Sequence, residues 1–340
     1  MPSARLPTVL DVFVRDLIDG QELDMVLLVR AAEVRAKRDG ERYLRLTLAD
    51  CTGQLTTMVW EDVAARLELC CAGVAVRVAG RFERHAKWGP QLSLRAIARA
   101  PEGSYDPADL RDGPPRPVEA MEADLRDLVA TVQDTHLSAL LDRVLGPHTE
   151  TWARFRCAPA AKLYHQAYAH GLLEHSLTVA QGVSAMASTF PGIDRDVAVT
   201  GALLHDIGKL EAYTDASAAI DLTDHGRLQG EIPLGYYRIR RAIEDLPGFL
   251  TETAQALLHI VLGHHGSLEH GSPVVPATRE AWLVHMIDNL GGKLGSFDRL
   301  EKGLAPGAAW TGFDRGVGAS AYFGPPTAVP APAGAERQAA

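Results

Sequence analysis

The chain has 340 residues, 46% hydrophobic and 23% charged, which is enough apolar material for two ordinary domains and too much for a disordered polymer. No apolar run reaches the roughly 18 residues that cross a bilayer, and Asp11, Arg15 and Asp16 break the start where a secretory leader needs an apolar centre. Four irregularly spaced cysteines (Cys51, Cys70, Cys71, Cys157) fit neither a disulfide framework nor a zinc finger, so the expected setting is a reducing cytoplasm without membrane association.

The net charge of −9 is unevenly spread. Residues 1–100 carry 15 Lys and Arg against 13 Asp and Glu, while the remainder carries 19 against 30. An acidic segment repels nucleic acid unless bound divalent cations compensate. Ten of the 13 histidines fall between His165 and His285, a density that suggests a metal site assembled from several helices.

In chain order, residues 22–100 read as five short strands, within MVLLVRAAEVRAK, RYLRLTLAD, QLTTMVWED, AVRVAGRFERH and PQLSLRAIAR. Asp39-Gly40 marks a hairpin, and EDVAARLELC has helical spacing after the third strand. Five strands with a helix after the third is the pattern of an OB-fold barrel, assigned to residues 1–100. Residues 101–117 hold five prolines and read as an extended, semi-rigid linker. From Val118 the period turns helical: Met121, Leu125, Leu128 and Val132 form one stripe, and Leu137, Leu140, Leu141 and Val144 another. Further helices are expected near 159–188, 195–208, 228–245, 251–265 and 278–300, giving an all-helical domain over 118–322. Ala, Gly and Pro make up 23 of the last 40 residues, so residues 323–340 read as a disordered tail.

The strongest chemical signal is LLHDIGK at 203–209, an apolar helix ending in His205-Asp206 with Lys209 just beyond. Imidazole and carboxylate together suit Mn²⁺, Fe²⁺, Co²⁺, Zn²⁺ or Mg²⁺ rather than a soft ion. His175 stands on an earlier apolar helix and Asp288 on the inward stripe of a later one, where a charge is costly unless paired or metal-bound. The set His175, His205, Asp206 and Asp288 supplies one octahedral ion with open positions; the bland alternative is a buried hydrogen-bonded network.

These four residues match the metal motif of the HD superfamily of phosphohydrolases. The finer pattern resembles the YhaM-type 3′→5′ exoribonucleases, carried by YLRLTLADCTGQL, HGLLEHSLTVA, ALLHDIGKL, HHGSLEHGSPVVPATREAWLVHMIDNL and WTGFDR over roughly residues 22–322. The resemblance implies an OB-fold followed by an HD domain, and hydrolysis of single-stranded RNA from its 3′ end, with single-stranded DNA and self-association left open. It implies one or two divalent ions, Mn²⁺ first, with Mg²⁺, Co²⁺ or Fe²⁺ as alternatives. A second ion would use His264, His265 and Glu231, the last at a position where relatives often have histidine. His170 stands where relatives tend to have glycine, and His165 matches a family histidine that would touch substrate phosphate. Asp206, His165 and Lys209 are the expected catalytic set, Lys209 by stabilising transition-state charge or, more blandly, as a helix-end cation. His225, His259 and His270 read as surface or core residues.

In the barrel, Arg38, Arg42, Tyr43, Arg45, Lys87 and Trp88 are the candidate nucleic-acid contacts. Trp60 and Phe82 read as core. Glu33, Asp39 and Glu41 dilute the basic patch, so a solvated hairpin is the competing reading. The rival functions are an HD-type nucleotide phosphohydrolase and a nucleic-acid-binding regulator with an inactive HD domain.

Overall fold

The computed structural model describes residues 12–37, 39–85, 88–110, 113–162, 166–214, 220–304 and 308–324. The expected disordered tail falls almost wholly outside them, as do His165, Arg38 and Lys87 among the candidate site residues.

The first half is a closed five-stranded barrel of β1 (Glu22–Ala36), β2 (Arg42–Ala49), β3 (Gln54–Val59), β4 (Ala75–His85) and β5 (Gly89–Arg99), with α1 (Val63–Leu69) between β3 and β4. The strand order is β1-β2-β3-β5-β4; β3 and β5 run parallel and the other pairs antiparallel. The 15-residue β1 serves two neighbours, pairing with β4 through its first half and β2 through its second, with a register shift between Val29 and Ala31. Alternation in β2 is strict: Leu44, Leu46 and Leu48 are fully buried, and Tyr43, Arg45 and Thr47 face outward. The Asp50 carboxylate is buried at the β2–β3 turn and accepts from Val14, Thr52 and Gly53 N–H groups at 2.6, 2.7 and 3.0 Å. That explains the LADCTG segment, because one carboxylate both closes the hairpin and anchors the chain ahead of β1.

Within the proline-rich stretch, α2 (Pro107–Leu110) forms a single turn, and the Asp109 carbonyl accepts from Cys51 N–H at 2.8 Å. The second half contains α3 (Val118–Ala130), α4 (Thr135–Leu145), α5 (Glu150–Phe155), α6 (Gly171–Ala187), α7 (Arg195–Leu204), α8 (Lys209–Ala212), α9 (Asp224–Gln229), α10 (Glu231–Glu244), α11 (Thr251–Gly263) and α12 (Arg279–Lys302). It has its own apolar core, separate from that of the barrel. At its centre α7 is buried from Val197 to Leu204 and packs on α6, α11 and α12. Asp194 and Thr278 cap the starts of α7 and α12 with side-chain oxygens.

Three details depart from the sequence expectations. The helix expected from about 159 begins only at Gly171, because Gln166 and His170 adopt left-handed φ values of 48° and 69°, which a right-handed helix cannot accommodate. That conformation accounts for the glycine expected at position 170, since glycine meets no Cβ penalty there; His170 instead bonds its ring to the Arg156 carbonyl at 2.5 Å. The helix expected over 195–208 is broken by a turn at His205–Gly208. The helical half also carries a two-stranded ribbon, β6 (Trp310–Asp314) with β7 (Ala319–Tyr322), tied to α12 by Arg299 on Asp314. Its glycine-rich sequence gave no strand signal. No helix among the described residues is long and apolar enough to cross a membrane.

Candidate metal centre

The turn between α7 and α8 determines the site. Leu204 ends α7, and His205 and Asp206 follow at 2% exposure each, with Lys209 opening α8. The Gly208 backbone lies so close to α10 that a Cβ there would stand 2.0 Å from the Glu231 carbonyl oxygen. Glycine is therefore required at this position, and its absence of side chain brings the start of α10 onto the HD turn.

Four side chains from two helices, α6 and α12, and from the turn converge. His175 Nε2 lies 3.3 Å from Asp206 Oδ2 and 3.0 Å from Asp288 Oδ1. His205 Nε2 lies 3.3 Å from Asp206 Oδ2 and 3.3 Å from His175 Nε2. A second group adjoins the first: His264 Nε2 is 3.6 Å from Asp206 Oδ1, and His265 Nε2 is 3.3 Å from Glu231 Oε1. Three ligand sets are thus formed, His175–His205–Asp206, His205–His264–Asp288 and Glu231–His264–His265, each with its ligand atoms within 4.8 Å of one another. The structure brings together all seven candidate ligands.

The imidazoles are aimed by the backbone. His205 Nδ1 donates to the Ala202 carbonyl and His264 Nδ1 to the Val261 carbonyl, both at 2.7 Å. A carbonyl can only accept, so in the neutral rings Nε2 carries the free lone pair. His264 Nε2 is buried with no hydrogen-bond partner. An orphaned acceptor facing a carboxylate is expensive in a core and is the arrangement a divalent ion satisfies. The nitrogen and oxygen donors fit a borderline or hard ion.

Charge is arranged to match. Burial alone would favour neutral Asp206, but Lys209 at 2.7 Å and the flanking imidazoles hold it ionised, well below the usual carboxylate range. Burial likewise opposes charging of Lys209, and Asp206 and Glu231 overcome it, raising the ammonium above the ordinary lysine range. Burial resists ionisation of Glu231 too, yet Lys209 and His265 bring it down. Burial disfavours protonated His175, but Asp206 and Asp288 outweigh that and lift it to about 9. Burial pushes His264 down and keeps its lone pair free.

Lys209, at 7% exposure, directs its ammonium at Asp206 rather than at solvent. His259 accepts from Ala277 N–H, and the His270 carbonyl receives His265 Nδ1 at 2.9 Å, so His270 contributes backbone alone to the centre. The sequence reading missed the carbonyls of Ala202 and Val261, each three residues before its histidine, which residue identity does not reveal. It also passed over His285, whose Nδ1 donates to the His264 carbonyl at 2.7 Å.

On the barrel, Tyr43 and Trp60 form a ring pair with centroids 4.9 Å apart, and Lys37 Nζ stands 5.1 Å from the Trp60 ring centre. Trp60 is 55% exposed, which corrects its reading as core; it stands one residue past the end of β3, on the same parity as the outward Met58. Phe82 is fully buried, as expected. Arg42 is exposed and Arg45 lies on the outward face of β2. Trp88 is exposed in the separate β4–β5 turn beside His85. Arg35 and Lys37 are paired with Glu33 and Glu41, the dilution of positive charge expected from the sequence.

The HD domain family model matches residues 172–292, the span from α6 to α12 that holds all seven candidate ligands. Over 85% of its length the chain is 29% identical to the 3′-5′ exoribonuclease YhaM of Geobacillus sp. (strain WCH70), covering 87% of that protein. It is 27% identical to the protein of the same name from Bacillus subtilis (strain 168), over 85% of this chain and 90% of the relative. The YhaM of Bacillus pumilus (strain SAFR-032) is 28% identical over the same shares.

Two outcomes follow. Gly208→Ala drives a methyl into the Glu231 carbonyl, so it costs about 1–3 kcal/mol by overpacking and lowers metal affinity, read by thermal melts with and without Mn²⁺. A His175 pKa of about 9 means that an incoming ion displaces a proton at neutral pH. Apparent affinity should therefore rise from pH 6 to 8.5, by up to about tenfold per unit for one displaced proton, measured by calorimetric titration at each pH.

Proposed function

We propose that this chain, an HD-domain protein similar along most of its length to YhaM exoribonucleases, is a metal-dependent phosphodiesterase that trims single-stranded RNA from the 3′ end, with single-stranded DNA as a second substrate class. The observation that carries this reading is the convergence of buried His175, His205, Asp206 and Asp288, with Glu231, His264 and His265 in contact beside them. Burying this much polarity is costly, and the partnerless Nε2 of His264 is the atom that a bound cation would satisfy.

His175, His205, Asp206 and Asp288 would hold a first ion, Mn²⁺ foremost, and Glu231, His264 and His265 a second. A divalent ion held there neutralises phosphoryl oxygens and lowers the pKa of water from about 15.7 toward 7. The chain's own residues prepare for that chemistry. Asp206 turns Oδ2 toward His175 and His205 and Oδ1 toward His264, so one carboxylate can serve both groups. Lys209 keeps it ionised and restricts its rotation, and adds positive charge for a phosphodiester anion. The carbonyls of Ala202 and Val261 hold the imidazoles in the ligating tautomer. Glu231 in place of histidine makes the second group harder, favouring Mn²⁺ or Mg²⁺ over Zn²⁺. His165 remains a candidate for substrate phosphate.

The Tyr43–Trp60 pair with Lys37 gives the barrel an aromatic platform beside a cation, the pairing that holds a single strand without reading its sequence. Arg42, Arg45 and Trp88, with Arg38 and Lys87, are the further candidates for strand contact. This platform favours a strand-trimming enzyme over a nucleotide phosphohydrolase. The free cysteines suit a reducing cytoplasm.

His205→Ala and Asp206→Ala should each slow Mn²⁺-dependent shortening of 5′-labelled single-stranded RNA by about three orders of magnitude or more, the loss of several kcal/mol of charge stabilisation. Undiminished shortening in either variant would refute the assignment. Trp60→Ala should weaken binding of a long single strand by roughly 5–150-fold, the equivalent of about 1–3 kcal/mol for one stacked base. Hydrolysis of bis-p-nitrophenyl phosphate, which needs no platform, should be unchanged.

A further inference from the structure

The segment after α11 carries both histidines of the second group, and α12 supplies one of the devices that hold it. Gly263 ends α11; His264 Nδ1 then donates to Val261 and His265 Nδ1 to His270. Gly266 reverses the chain at φ +82° and donates to the Gly263 carbonyl at 2.8 Å. A Cβ on Gly266 would lie 2.0 Å from His285 Cε1, so the turn is built directly against that imidazole. His285 Nδ1 donates to the His264 carbonyl at 2.7 Å, and the Trp282 ring meets the imidazole edge-on with centroids 5.8 Å apart. Three residues later on the same helix stands Asp288, less than one turn away.

We propose that His285 is a positioning residue for the second ion: it fixes the His264–His265 backbone to the helix that carries Asp288, and so sets the spacing between the two ligand groups. This rests on the two-ion reading above. His285 need not ligate to act, since Nδ1 is committed to a carbonyl. The first group does not depend on this tie. His175, His205 and Asp206 are placed by α6 and the HD turn, and Asp288 by α12 itself, whereas His264 and His265 lie past the end of α11 in a turn. Removing the donor releases the peptide on which both second-group imidazoles hang and leaves the first group in place.

The test uses the full chain and two substitutions that separate hydrogen bonding from packing. His285→Asn keeps a donor where Nδ1 stood and loses the ring; His285→Phe keeps a ring against Gly266 and loses the donor. Mn²⁺ is titrated calorimetrically, and electron paramagnetic resonance reads the magnetic coupling of neighbouring ions, which a merely stabilising residue would not alter. Wild type should take two equivalents and show coupling. His285→Phe should take the first equivalent as wild type does, bind the second about 10–100-fold more weakly, and lose coupling at matched Mn²⁺. His285→Asn should restore the second equivalent and the coupling. Wild-type stoichiometry and coupling in His285→Phe would overturn the proposal, and so would equal loss in both variants, which would assign the effect to the ring. A single equivalent in wild type would instead overturn the two-ion reading beneath it.

Discussion

An ionised carboxylate at 2% exposure is the constraint around which the helical half is organised. Removing a charge from water costs several kcal/mol after relaxation, and Asp206 recovers that only from cations placed around it. Lys209 supplies one permanently and the neighbouring imidazoles supply donors or ion ligands. Each partner then imposes a demand on the fold. Lys209 must open α8, so the chain must turn sharply after α7. Gly208 must lack a side chain, so that α10 can bring Glu231 alongside. His205 and His264 must reach back to carbonyls three residues earlier, so each stands just past the end of a helix, where the local chain can present both the carbonyl and the ring.

The same constraint explains why the surrounding packing is so apolar. Buried Val197 to Leu204 on α7 and the facing parts of α6, α11 and α12 form the apolar core against which His175, His205 and Asp206 are buried. Low local polarity strengthens the Asp206–Lys209 pair and makes the orphaned Nε2 of His264 costly without an ion. The barrel obeys a different logic. Its interior leucines close the core, and its chemistry lies outward, where Tyr43, Trp60 and Lys37 remain accessible.

Much of this was legible in the sequence because it is written in periodicity and residue type. Leu44, Leu46 and Leu48 alternate with Tyr43, Arg45 and Thr47, and β2 follows. His175, His205, Asp206 and Asp288 are polar residues in otherwise apolar settings, and they meet. What escaped was written in neither. The left-handed backbone at His170 leaves no mark in side-chain pattern, so apolar periodicity alone extends the helix ahead of Gly171. Trp60 looked like core because it continues an apolar strand, yet strand parity places it outward with Met58. His285 sits on the same helix as Asp288 and reads as one more histidine until its hydrogen bond to the His264 carbonyl is seen.

The central claim is that the buried polar cluster exists to hold divalent ions. An anomalous-scattering map from crystals grown with Mn²⁺ tests it most directly. The account predicts a peak bounded by Nε2 of His175 and His205 and the carboxylates of Asp206 and Asp288, within about 2.0–2.3 Å of their donor atoms. A map without a peak there, the four side chains bonded only to one another at saturating Mn²⁺, would contradict it.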